Sequence, residues 1–241
     1  MFFLLFVFPA AGRDRIVIRI PSPAQEAEYI WQTLRDIRFF EEHNYRVSLP
    51  PGRIIETLTA KAKKNELSEK DLEDLKDFIR DSVYRESDYR SGYDKITTRL
   101  GSLNRMVDEL EQAAYDWHFT MFDTYTVNLT LYGPGGSYDT DKGSVLLYTT
   151  PDGKFRQGDD PAMTIIHEIV HIGIEDPVVK KYNVPHPLKE RIVDLFVSLS
   201  FKEYLPGYRV QEMGENRIDR YLRTKEDLRS LPRFVADIMK Q

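Results

Sequence analysis

The segment that most restricts how this chain folds is residues 159–174, DDPAMTIIHEIVHIGI. Asp160 is a good helix N-cap, and Pro161 stands where a first helical residue belongs, so the spacing predicts a helix over 161–174. Thr164, Ile165, Ile166, Ile169, Val170 and Ile172 leave this helix almost no polar face. A helix apolar nearly all round is buried. Yet His167, Glu168 and His171 lie within it. Polar groups inside a core are unfavourable unless something pairs with them.

The spacing of those three residues names a partner. His167 and His171 are four apart, so they sit one helical turn apart on one face. Two imidazoles placed in this way close on a single zinc ion, and Glu168, one residue round, approaches the reacting water without ligating. The chain has no cysteine, so disulfides, thiolate ligands and a cysteine nucleophile are excluded, and any metal is held by His and carboxylate. Catalytic zinc takes three protein ligands and keeps one open position. Residues 185–194, PHPLKERIVD, open a second helix with Pro187 near its start, and Ile192, Val193, Leu195, Phe196 and Leu199 make it substantially apolar. Glu190 and Asp194 share one side of it. Glu190 as third zinc ligand and Asp194 as acceptor for a histidine N–H account for two acids in such a helix. His186 is the rival third ligand.

His167-Glu168-x-x-His171 followed by Glu190-x-x-x-Asp194 resembles the active site of the gluzincin, or thermolysin-like, group of zinc metallopeptidases. The resemblance implies one zinc ion on His167, His171 and Glu190, with Glu168 as general base and Asp194 behind His167. It also implies an upstream antiparallel edge strand lining the substrate cleft, where residues 143–150 stand. It covers residues 120–205, and nothing in residues 13–118 carries it. A metzincin pattern would need Gly at 174 and His at 177, where the chain has Ile174 and Pro177. The donor that stabilises the oxyanion stays open between Tyr182, Tyr204, Tyr208 and His186.

The rest of the chain sets the expected frame. Residues 15–20 (RIVIRI) read as a short strand, and residues 23–43 as a helix with Tyr29, Ile30, Leu34, Ile37 and Phe40 at helical spacing. Residues 53–117 are helical and highly charged, with Ser68 as an N-cap and Asp71 at the capping-box position. Residues 125–132 and 143–150 read as strands around the loop Gly133-Pro134-Gly135-Gly136. The expectation is an α+β fold. A mainly helical region, 13–118, precedes a zincin-like catalytic domain, 119–241, with a small antiparallel sheet, two metal-bearing helices and C-terminal helices broken near Leu231-Pro232.

The net charge of −5 argues against a nucleic-acid partner, which calls for a clustered basic surface. The expected partner is a peptide or protein substrate. Residues 1–8 (MFFLLFVF) followed by Pro9-Ala10-Ala11-Gly12 make residues 1–12 a candidate signal segment, although no basic residue precedes the apolar run. Export to a periplasm or outside the cell and a cytoplasmic location both stay open, and membrane contact is expected only through that segment. Two rival functions stand beside the peptidase: a non-catalytic zinc-stabilised domain, and a regulatory protein whose helices 53–117 hold one specific partner.

Overall fold

The computed structural model describes residues 13–156, 158–211 and 215–240. The candidate signal segment lies outside the described residues. Strand β1 (Ile16–Arg19) leads into α1 (Pro23–Arg35), α2 (Ile37–Glu42), α3 (Arg53–Lys63), α4 (Glu69–Phe78) and the long α5 (Arg90–Ala113). Strands β2 (Tyr125–Thr130), β3 (Gly136–Asp139) and β4 (Ser144–Tyr148) follow, then α6 (Pro161–Ile174), α7 (His186–Phe201) and α8 (Leu231–Met239). The chain is therefore α+β, with eight α-helices and one four-stranded sheet among the described residues.

The local signals explain most helix starts. Ser68 accepts from the Asp71 N–H, and the Asp71 carboxylate returns a bond to the Ser68 backbone, the capping box read from the sequence. Asp160 accepts from the Ala162 N–H at the start of α6. The helix expected over 23–43 is interrupted at Asp36, which caps α1 and opens α2. Leu231 and Pro232 start α8 rather than breaking a helix, because proline at a second helical position removes no intrahelical bond.

The sheet corrects the sequence reading. It is mixed rather than antiparallel, in the order β1-β2-β4-β3. Ile16 pairs with Tyr125 in a parallel register, β2 pairs with β4 in parallel, and only β3 runs antiparallel to β4. A parallel pair needs a crossover, and the helices between Arg19 and Tyr125 supply the first one. The antiparallel edge strand is thus β3, which starts on the last residue of the loop 133–136 and fills the stretch before residue 143, while β4, expected at the edge, is internal.

Two apolar cores result. The larger joins the inner face of the sheet to α5, α6, α7 and α8, through Ile16, Leu103, Val127, Leu147, Ile166 and Phe196 among others. It draws β1 and α5 from the N-terminal half into the same core as the motif helices. The smaller lies among α1, α3 and α4, around Ile30, Leu34, Leu58 and Leu75.

Glu26 of α1 ties the two together. Fully buried, its Oε1 accepts from the Leu131 N–H at 3.0 Å and from the Thr130 hydroxyl at 3.1 Å, at the end of β2. Burial pushes its pKa up to about 7, against the pull of those bonds. Between about pH 4.5 and 7 the native state keeps a proton that the unfolded chain has lost. Stability therefore falls as pH rises through this window, by up to about 3 kcal/mol. Glu26→Gln keeps the accepting oxygen and removes the titration. Urea unfolding at pH 5 and pH 8 is expected to show a smaller loss for this variant than for the wild type. Equal losses would remove Glu26 as the cause.

Candidate metal centre

Helix α6 runs through the core with its ends fixed from outside. Arg99 of α5 donates to the N-capping Asp160 at 3.0 Å and to the Tyr204 carbonyl at 3.1 Å. Gly173 lets α6 pack against the Phe119 ring so closely that a Cβ there would fall 1.9 Å from Phe119 Cζ. His167, Glu168 and His171 are all buried in the middle of this helix.

The two histidines turn the same way. Nε2 of His171 is 3.0 Å from Nε2 of His167. Glu190, reaching across from α7, places Oε2 3.3 Å from the first nitrogen of the pair, His167 Nε2, and 3.4 Å from His171 Nε2. Three ligand atoms about 2.0–2.1 Å from a tetrahedral ion stand about 3.3–3.4 Å from one another. The two distances from Glu190 match this separation, and the 3.0 Å between the two nitrogens is somewhat shorter. The three donors form a buried group fit to hold a metal ion.

The surroundings prepare those atoms. Asp194, fully buried on α7, accepts from the Tyr208 hydroxyl at 2.6 Å and from the Gln211 N–H at 2.6 Å. Because the Tyr208 proton is given to Asp194, its oxygen accepts from His167 Nδ1, 2.7 Å away. Asp194 Oδ1 itself lies 3.3 Å from His167 Nδ1. A proton held on Nδ1 leaves Nε2 as a lone-pair donor. Asp194 and the Tyr208 hydroxyl thus both face His167 Nδ1, on the side of the ring away from Nε2. His171 is oriented differently. The Tyr138 ring stacks on it at 4.8 Å and 7°, while its Nδ1 has no hydrogen-bond partner among the described residues.

Charge follows from this geometry. Burial drives the His171 pKa down to about 4. Burial acts in the same sense on His167, but the carboxylates of Asp194 and Glu190 outweigh it and carry that ring up to about 10. Burial would raise Glu190, yet its bonds to the two histidines hold it well below the usual carboxylate range. A neutral His171 and an ionised Glu190 are the forms that ligate, and His167 must release its proton for a cation to enter.

Glu168 is buried beside this group without joining it. Burial pushes its pKa up to about 7, and Glu190 adds to the rise while His167 opposes it. Edge strand β3 passes directly over it. A Cβ on Gly136 would fall 2.3 Å from Glu168 Oε1 and 2.7 Å from Thr164 Cγ2.

The other expected residues divide. Tyr204 donates to Glu109 at 2.7 Å and Tyr182 packs on the main core under Lys181, so neither joins the group. Tyr208 is committed to Asp194. His186 does reach the site, with Nδ1 3.5 Å from Glu190 Oε1, but it stands outside the three-donor set. Sequence reasoning missed Tyr138, Gly136, Lys189 and Tyr45. Lys189 donates to the Tyr138 hydroxyl at 3.0 Å, and that hydroxyl donates to Glu175 at 2.8 Å, which locks the ring against His171. Tyr45 contacts His186 from the N-terminal half. Compared with family models, with curated proteins and with solved structures, this chain finds no match.

Proposed function

We propose that this chain is a zinc-dependent metallopeptidase. The observation that carries the reading is a buried His167–His171–Glu190 donor set whose ligand atoms stand 3.0–3.4 Å apart, close to tetrahedral ligand separations, with Glu168 beside it. Three donors leave the fourth position of a tetrahedral ion to water and substrate, which favours a catalytic over a closed structural site. His167 Nε2, His171 Nε2 and Glu190 Oε2 would hold the ion. When bound, zinc supplies a Lewis acid that polarises the scissile carbonyl and acidifies water.

The protein's own groups do the rest. The Glu168 carboxylate takes a proton from the attacking water and gives it to the nitrogen of the departing amine. Burial raises the pKa of this carboxylate, the direction that suits a group which must both take the proton and hand it on. Tyr208 and Asp194 hold His167 in one tautomer, and Tyr138 fixes the plane of His171. The free edge of β3 suits an extended peptide, which would pair with it as a further strand and lie across Glu168.

The test is zinc dependence. Stripping the protein with a chelator is expected to abolish cleavage of peptides, and one equivalent of zinc to restore it. Cleavage that survives stripping, or a zinc-loaded protein that cleaves nothing, overturns the reading.

A further inference from the structure

Two of the few exposed large apolar side chains of the described residues, Phe39 (41% exposed) and Tyr45 (36%), pack against His186, whose ring faces Glu190. They come from α2 and the segment after it, in the N-terminal half. The Tyr45 hydroxyl is 2.9 Å from His186 Nε2. The His186 ring also meets Phe39 edge-on at 5.6 Å and His43 edge-on at 5.2 Å. Phe39 in turn stacks on Tyr45 at 6.3 Å and 23°. Asn44, between His43 and Tyr45, takes φ 58°, a left-handed conformation that asparagine tolerates and that forms part of the turn after α2.

The hydrogens in this arrangement are determined by what faces each nitrogen. His186 Nδ1 looks at Glu190 Oε1, 3.5 Å away. A bare nitrogen would repel that carboxylate oxygen, so a neutral imidazole carries its proton on Nδ1. Nε2 is then the acceptor of the Tyr45 O–H. A directed chain follows: Tyr45 O–H to His186 Nε2, and His186 Nδ1–H toward Glu190 Oε1. It acts on the carboxylate oxygen that is not turned to the histidines, since Oε2 is the one 3.3 and 3.4 Å from their nitrogens.

We propose that Tyr45 and His186 are positioning residues for Glu190, so that the N-terminal helical unit sets the affinity of the metal site. Groups that orient metal ligands typically change metal affinity 10–100-fold when removed. Tyr45 is partly open to water and its bond is indirect, so the lower end is expected. This inference rests on the metal-binding part of the proposed function and not on peptide cleavage.

The experiment is competition for Zn2+ against a chromophoric chelator, on the full chain, with metal-free melting temperatures as a control of folding. Tyr45→Phe keeps the ring and loses only the hydroxyl. Zinc affinity is expected to fall about tenfold with an unchanged metal-free melting temperature. In a His186→Ala background, where the link to Glu190 is already cut, Tyr45→Phe is expected to change nothing further. An affinity within twofold of wild type for Tyr45→Phe, or an equal loss in both backgrounds, overturns the proposal, as does a wild type that binds no zinc. Tight binding by the wild type without cleavage of peptides would sink the peptidase reading and leave this one standing.

Discussion

Glu190→Ala is expected to lose zinc by more than the 10–100-fold that follows from disturbing an outer partner, because it removes a ligand atom itself. Its metal-free form is expected to be less stable as well. Glu190 is buried, and His167 and His171 both lean on its Oε2. Removing one partner of a buried charged group costs about 3–5 kcal/mol. Glu190→Gln separates the two effects, since it keeps the volume and one oxygen while giving up the charge. Equilibrium dialysis reads the first effect and thermal unfolding in chelator the second. Zinc bound by Glu190→Ala at the wild-type stoichiometry and affinity would move the third ligand elsewhere, with His186 the nearest alternative.

Gly136→Ala is expected to cut turnover about a hundredfold while leaving zinc in place. The new Cβ would fall 2.3 Å from Glu168 Oε1, so either the carboxylate or β3 must move. Displacement of a catalytic group by about 1 Å costs on the order of a hundredfold in rate. The three ligand atoms are on α6 and α7 and need not shift, so the metal content is the control. Wild-type turnover in this variant would show that the base does not lie under β3.

What was legible in the sequence was local. His167, Glu168 and His171 share one helix, and Glu190 and Asp194 share another, so helical spacing alone puts each set on a face. Capping by Asp160 and Ser68 was legible for the same reason. What was not legible depends on contacts between distant segments. No periodicity in residues 15–20 says that Ile16 pairs with Tyr125, and that pairing is what makes the sheet mixed. Strand β3 was hidden because Gly133, at φ 110°, and Gly135, at φ 152°, do form a turn, and the strand begins on the next glycine. Tyr45 carries no motif and meets His186 only through the packing of α2 near α7. Tyr208 stood among the donor candidates by type, but its hydroxyl is spent on Asp194 and His167.

The central claim is that Glu168 moves the proton in peptide hydrolysis. The most direct measurement incubates zinc-loaded wild type and Glu168→Gln with a diverse peptide library and reads the products by mass spectrometry. Cleavage by the wild type is expected, with turnover lower by about 10²–10⁴ in Glu168→Gln at equal zinc content. Equal cleavage by both proteins, or cleavage by neither, would contradict it.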